Sequence, residues 1–244
     1  METPPQVELV VARCGENVNW ARNLERLAPG LRVTIYDKSP DGAREAGALP
    51  LPNLGREAHT HLHHMVTRFH SLAAVTVFAQ GHPFDHVPDL KRKVRRLAEG
   101  TYRVADFEWL GFIIDTDDAR GRRLHVPWTK NPEGRELPLE GFHQRLLGEP
   151  SPAEFVFRPG GQFIVTRDKI RRRPLEFYQR ALELASEPGL EPACCFERVW
   201  DRVFGVEGPE RAMLAGAKTL YLRRTKRGDH PLAGDAIRVA PIRY

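Results

Sequence analysis

Residues 7–12 read VELVVA, an apolar run rich in β-branched side chains. Such a run is too short for a buried helix, so Val7-Glu8-Leu9-Val10-Val11-Ala12 reads as a buried strand. Two further runs share this character. Arg32 to Tyr36 runs into Asp37-Lys38-Ser39-Pro40-Asp41-Gly42, which is loop chemistry, and Ala74 to Ala79 stops at Gln80-Gly81. Helical stripes alternate with these runs. Asn17 to Leu27 carries Trp20, Leu24 and Leu27 on one face and breaks at Pro29-Gly30. Arg56 to Phe69 carries Leu62, Val66 and Phe69, and a third stripe of Leu90, Val94 and Leu97 closes at Gly100. Strand–helix units joined by right-handed crossovers predict an α/β, Rossmann-like fold with a mainly parallel central sheet and these three strands adjacent.

Residues 101–160 are less regular, with one apolar run from Leu110 to Ile114 among many Pro, Gly and charged residues. Phe163 to Thr166 reads as another strand. Leu175, Tyr178 and Leu182 mark a helix starting after Pro174, and Phe196, Val199, Trp200 and Val203 mark one ended by Gly205. No repeat or linker divides the chain. It reads as a single domain over 1–244, with a nucleotide-binding-like half at 7–100 and a less regular acceptor-side half at 101–244.

Of the 244 residues, 41% are hydrophobic and 28% charged, the balance of an ordinary globular protein. No run of about 18 apolar residues is present, so no membrane span is expected. METPPQVELV lacks a basic region leading into an apolar core, which argues against a secretory signal. Cys14, Cys194 and Cys195 make a poor disulfide set without metal-ligand spacing, and a reducing, cytoplasmic setting is expected. Cys14, just after the first strand, reads as a small half-buried residue, with a reactive thiol as the alternative. The basic clusters Lys91-Arg92-Lys93 with Arg95-Arg96, Arg171-Arg172-Arg173, and Arg223-Arg224 with Lys226-Arg227 lack interleaved aromatics. They read as solvated faces, and nucleic acid is not an expected partner.

Ligands of open parallel sheets collect beyond the carboxyl ends of the strands. That rule selects Arg13 with Glu16, Asp37 with Lys38, and Gln80-Gly81-His82 with Asp85 and His86. The loop before the second helix adds Asn53, Gly55, Arg56 and Glu57, the last two at a helix N-terminus where N–H groups favour an anion. Neither GxGxxG nor GxxxxGK[ST] occurs, so the common dinucleotide and P-loop cradles are absent.

The same residues carry a family resemblance. VVAR-x-x-E with Trp20, IYDKS, LPNLGREAHTHLHHM and VTVFAQGHPFDH, followed by PGGQFIVTRDKIRRRPLEFY and FERVWDRVFG, resemble the domain of unknown function 3431 family over roughly residues 7–205. The resemblance implies a glycosyltransferase A-like fold and, through it, transfer of a sugar from a nucleotide-sugar donor to an unknown acceptor. Such enzymes usually carry Asp-x-Asp at the strand end after the second helix, where Mg²⁺ or Mn²⁺ neutralises the leaving diphosphate. Here that place reads Gln80-Gly81-His82, so metal-independent chemistry stands beside metal-dependent chemistry. Asp115 and Asp117 of Asp115-Thr116-Asp117-Asp118 are alternative metal ligands, although Ala119-Arg120-Gly121 suggests a hairpin turn.

By the resemblance, Asp37 would hold the nucleoside, Arg56 the phosphates, and Gln80 and His82 the leaving-group or sugar side. Glu197 would be the base, with a helix-surface salt bridge to Arg198 or Arg202 as the alternative. Arg171 to Arg173 could stabilise a diphosphate, although three consecutive residues cannot all face one pocket. A strand-end imidazole such as His82 can also serve as a general base. Two other readings stay open. His59 with His63, and His82 with His86, repeat a four-residue spacing that suits zinc in a metal-dependent hydrolase or other transferase, against a plainer reading as surface histidines plus one or two pocket residues. A non-catalytic nucleotide- or sugar-binding domain is the third.

Overall fold

A computed structural model describes residues 6–122, 136–189, 191–206, 208–223 and 237–239. Strands β1 (Val7–Arg13), β2 (Leu31–Asp37), β3 (Leu49–Pro50), β4 (Val75–Gln80), β5 (Phe107–Trp109) and β8 (Phe163–Thr166) form a central sheet in the order β3-β2-β1-β4-β8-β5. β3, β2, β1 and β4 are mutually parallel, while β8 runs antiparallel to both its neighbours. The sheet is therefore mixed but mostly parallel, and the first three predicted strands lie side by side.

Helices cover both faces because alternate strand residues are apolar on each. Leu9, Val11, Val33, Ile35, Val77 and Ala79 point toward α1 (Asn19–Leu27) and α3 (Leu90–Ala98). Val10, Tyr36, Phe78 and Val165 point toward α2 (Arg56–Arg68), α6 (Leu175–Ala185) and α7 (Glu191–Val203). This two-faced burial explains why the strands read as continuous apolar runs.

The run from Leu110 to Ile114 is not one element. It crosses at Gly111 from β5 into a second sheet, ordered β10-β9-β6-β7, which the sequence reading did not anticipate. Its strands are β6 (Ile113–Asp118), β7 (Glu154–Phe157), β9 (Thr219–Tyr221) and β10 (Ile237–Val239). Gly121 N–H donates to the Asp118 carbonyl, so a turn does follow β6. Among the described residues no hairpin results, because the partner strand β7 begins only after α4 (Leu139–Leu147). Short helices α5 (Arg167–Ile170) and α8 (Pro209–Leu214) complete the described chain. Among the described residues, no helix is long and apolar enough to cross a membrane.

The basic residues of α3 lie on its outer side, around buried Leu90, Val94 and Leu97. Arg171 to Arg173 lie away from the strand carboxyl ends. β8 is antiparallel, so its own end, Thr166, pairs with Val75 at the start of β4. There Arg171 donates to the Phe69 carbonyl, Arg173 to the carbonyls of Val203 and Arg202, and Arg172 pairs with Asp106. These are carbonyl caps and an ion pair, not diphosphate ligands. Arg224, Lys226 and Arg227 lie outside the described residues.

Candidate functional site

The parallel register aligns Arg13 with Asp37 and Ala12 with Gln80, so three strands end at one level. The chain leaves β1 toward β2 on one side and β4 on the other, which makes this the switch point where open sheets leave a crevice. A cavity of about 320 Å³ opens there, lined by Ala12, Arg13, Cys14, Glu16, Lys38, Asn53, Arg56, Glu57, Gln80 and His82. Eight of the predicted binding and catalytic residues are thereby brought together.

Arg13 and Lys38 form the floor and are held by internal partners. The Arg13 guanidinium donates to the Asp37 carboxylate, the Ser39 hydroxyl and the carbonyls of Glu16 and Ala43. Asp37 is buried beneath the cavity, where it also accepts from the Ser39 and Glu45 N–H groups. Burial opposes its charge, yet those hydrogen bonds and Arg13 outweigh it and hold the carboxyl below its usual range. Asp37 therefore organises the floor instead of facing a ligand. Lys38 donates to the carbonyls of Leu54 and Arg56, which draws the 53–56 loop over the floor. Burial pushes its amine down to about 8, against the charges of Glu57 and Cys14.

Gly55 and Arg56 both have left-handed backbone, with φ of 52° and 47°. Gly55 is required by contact as well: a Cβ there would lie 2.0 Å from the Ala185 carbonyl oxygen. Arg56 carries a strained conformation of about 1–3 kcal/mol that sends its guanidinium outward. Its side chain is 55% exposed while that of neighbouring Glu57 is 11% exposed, with Arg56 Nε 3.6 Å from Glu57 Oε2.

Glu57 is the enclosed carboxyl of the cavity. Burial raises its pKa and the charge of Glu197 adds to the rise, opposed by Arg56 and by a hydrogen bond from the Gln80 side chain. On its far side lies the Pro159-Gly160-Gly161 turn, where a Cβ on Gly161 would sit 3.3 Å from Glu57 Oε1. Glu197 does not line the cavity. Its carboxylate accepts from the Gly160 N–H and from Arg198, tying this turn to α7. His86 is not part of the cavity lining either, and its ring packs against Gly160, where a Cβ would meet it at 2.9 Å. Burial lowers the His86 pKa against the charges of Glu197 and Asp85. His82 stands exposed at the mouth, its Nε2 3.9 Å from Asp85 Oδ1.

Glu16 closes the remaining side by accepting from the Cys14 N–H, and its carboxylate packs against Gly81. The Gly81 carbonyl accepts from the Trp20 indole at 2.9 Å. Cys14 is exposed, not half-buried, because Gly15 with φ of 97° turns the chain outward after β1. Reading strand ends missed Cys14 in the cavity lining and the glycine turn at 160–161 that packs beside Glu57. Consecutive glycines just before a strand were the available signal.

The metal-ligand candidates fare differently. The Asp117 carboxylate faces Arg198 at 3.2 Å, so a guanidinium holds the place that a cation would need. Asp115 accepts from the Thr219 hydroxyl in the second sheet. His82 is exposed at the mouth, whereas the His86 ring packs against Gly160. On α2, His59 and His63 stack at 6.2 Å, and of the helix's four histidines only His63 is partly exposed. His59, His61 and His64 are buried, with His61 against Phe78, Phe163 and Trp200, and His64 bonded to the Tyr36 hydroxyl. Among the described residues, no group of three or more His, Cys, Asp or Glu side chains is placed to hold a metal ion. The cavity donors do not fit a hard divalent cation either, since Gln80 and His82 occupy the strand end and Arg13, Lys38 and Arg56 border the same space.

Fold and cavity together define an α/β protein with a mixed, mostly parallel sheet and a polar cleft at its switch point. The chain belongs to the family of proteins of unknown function DUF3431, whose model matches residues 9–212. No curated protein and no solved structure gives a significant match.

Proposed function

We propose that this cleft binds the diphosphate of a nucleotide-sugar donor and that the protein transfers the sugar to an acceptor, on a glycosyltransferase A-like fold. The observation that carries the reading is Arg56. It is an exposed cation on strained backbone, at the edge of a cavity beyond the aligned ends of β1, β2 and β4. In this reading Arg56 contacts the phosphates, Asn53 and Glu16 take polar groups of the nucleoside side, and Gln80 and His82 face the sugar. His82, at the mouth, is the base that meets an acceptor hydroxyl. Glu197 acts through the Gly160 turn as a positioning residue. Three free cysteines support a cytoplasmic setting.

Thermal-shift and calorimetric titrations with uridine and guanosine diphospho-sugars, with and without Mn²⁺, test the proposal. A ligand that binds only the folded chain stabilises it by about 2.7 kcal/mol at a hundredfold excess over Kd. Consumption of the donor in the presence of an acceptor completes the test. A wild-type protein that no nucleotide or nucleotide sugar stabilises overturns it. Gln80-Gly81-His82 at the strand end favours one second reading, a domain that binds such a ligand without turning it over. Saturable binding with an intact donor after long incubation would select that reading.

A further inference from the structure

Glu57 and Arg56 are neighbours in sequence and share one cavity, yet they face opposite environments. The guanidinium reaches solvent. The carboxyl is enclosed by the Gln80 side chain, the Gly161 backbone and the start of α2. The titratable and charged groups that act on it are Arg56 beside it, Lys38 at the end of β2, and Glu197 and Cys194 on α7. Lys38 is tied to two backbone carbonyls and Glu197 to Arg198 and the Gly160 N–H, so neither can swing in to balance a new charge.

An anionic group arriving at Arg56 would therefore meet an enclosed carboxylate that already uses the same guanidinium. Like charges this close disfavour double ionisation, and a carboxyl in a poorly hydrated place is the group that gives way. We infer that Glu57 takes up one proton from solvent when an anionic ligand group docks on Arg56, so that the cleft binds anion and proton together. Protonation frees the guanidinium for the ligand and converts Glu57 from a repelling acceptor into a hydrogen-bond donor toward a ligand oxygen. Burial and the charge of Glu197, which already raise the Glu57 pKa in the free protein, reduce the free energy needed for that uptake. This inference rests on the docking of phosphate at Arg56 proposed above.

Inorganic sulfate is a suitable probe, because it stays a dianion throughout the working range and contributes no protons of its own. Its affinity for the full chain is measured by calorimetry between about pH 5 and 7, below the range where Lys38 titrates, in wild type, Glu57→Gln, His82→Gln and Arg56→Ala. Wild type should bind up to about tenfold more tightly for each unit of falling pH, while Glu57→Gln binds with little pH dependence. Buffers of different ionisation enthalpy should report close to one proton taken up by wild type and none by Glu57→Gln. A flat wild-type profile with Arg56-dependent binding overturns the linkage alone. So does a slope that survives in Glu57→Gln and vanishes in His82→Gln. Absence of sulfate binding, or equal binding by Arg56→Ala, overturns the docking reading and the linkage with it.

Discussion

Arg13 and Asp37 occupy paired register positions on adjacent parallel strands, and their side chains form a buried ion pair beneath the cleft. The pair fixes the floor, because Asp37 also gathers the N–H groups of Ser39 and Glu45 and thereby holds the loop after β2. Removing the carboxylate leaves a buried guanidinium without its counter-charge.

Asp37→Ala should therefore destabilise the fold by about 3–5 kcal/mol in chemical denaturation. The Asp37 carboxyl is depressed in the folded state, so its contribution is present above the unfolded-state pKa and is lost as pH falls through the folded value. The variant should lack that part of the acid sensitivity of wild type. Equal denaturation midpoints for the two proteins would refute this role.

Gly55→Ala and Gly30→Ala separate contact from conformation. Both glycines have positive φ, but a Cβ at position 30 meets nothing within 4 Å, whereas one at position 55 would lie 2.0 Å from the Ala185 carbonyl oxygen. Gly30→Ala should lose about 1 kcal/mol, and Gly55→Ala at least about 2–3 kcal/mol through displacement of the loop from α6. Thermal unfolding of the pair is the measurement, and equal losses would count against a tight seat for the 53–56 loop.

Arg56 sets stability against binding. Arg56→Gly should raise stability by up to about 1 kcal/mol by relieving left-handed strain, while weakening an anionic ligand roughly tenfold to a hundredfold. Arg56→Ala should weaken binding equally without the gain in stability. If either variant keeps wild-type affinity for the nucleotide sugar found by screening, the contact assigned to Arg56 is wrong. Glu57→Ala differs, because it removes an enclosed group and should change the pH dependence of binding.

The buried histidines should make the fold acid-sensitive well above the carboxylate range. Burial pushes His61 down to about 3, with the Lys38 charge adding to it, and burial takes His64 to about 4. Between the ordinary histidine value of 6.5 and these values, the unfolded chain holds protons that the folded chain does not. Stability should thus fall by a few kcal/mol as pH drops through this window. His61→Leu, an apolar side chain placed among Phe78, Phe163 and Trp200, should flatten the profile in denaturant titrations at several pH values. An unchanged slope would show that His61 is already protonated in the fold.

Much of this protein is local in origin and so was legible in its sequence. The apolar runs at 7–12, 32–36 and 74–79 and the stripes between them encode the strands and helices of the parallel layer, because periodicity reports burial directly. Strand ends follow from those boundaries, which is why Arg13, Lys38, Gln80 and His82 could be placed at one rim before any coordinates. Tertiary structure alone decided what each side chain does there. Asp37 became a floor residue because Arg13 reaches it across two strands. Glu57 became enclosed because a turn 103–104 residues further on packs beside it. Three histidines of α2 entered the core because α6 and α7 cover that helix. Strand β8 runs antiparallel, and β6 leaves for a second sheet, through pairings set by distant segments. Desolvation and charge pairing are properties of the folded neighbourhood, and spacing along a chain carries almost no record of them.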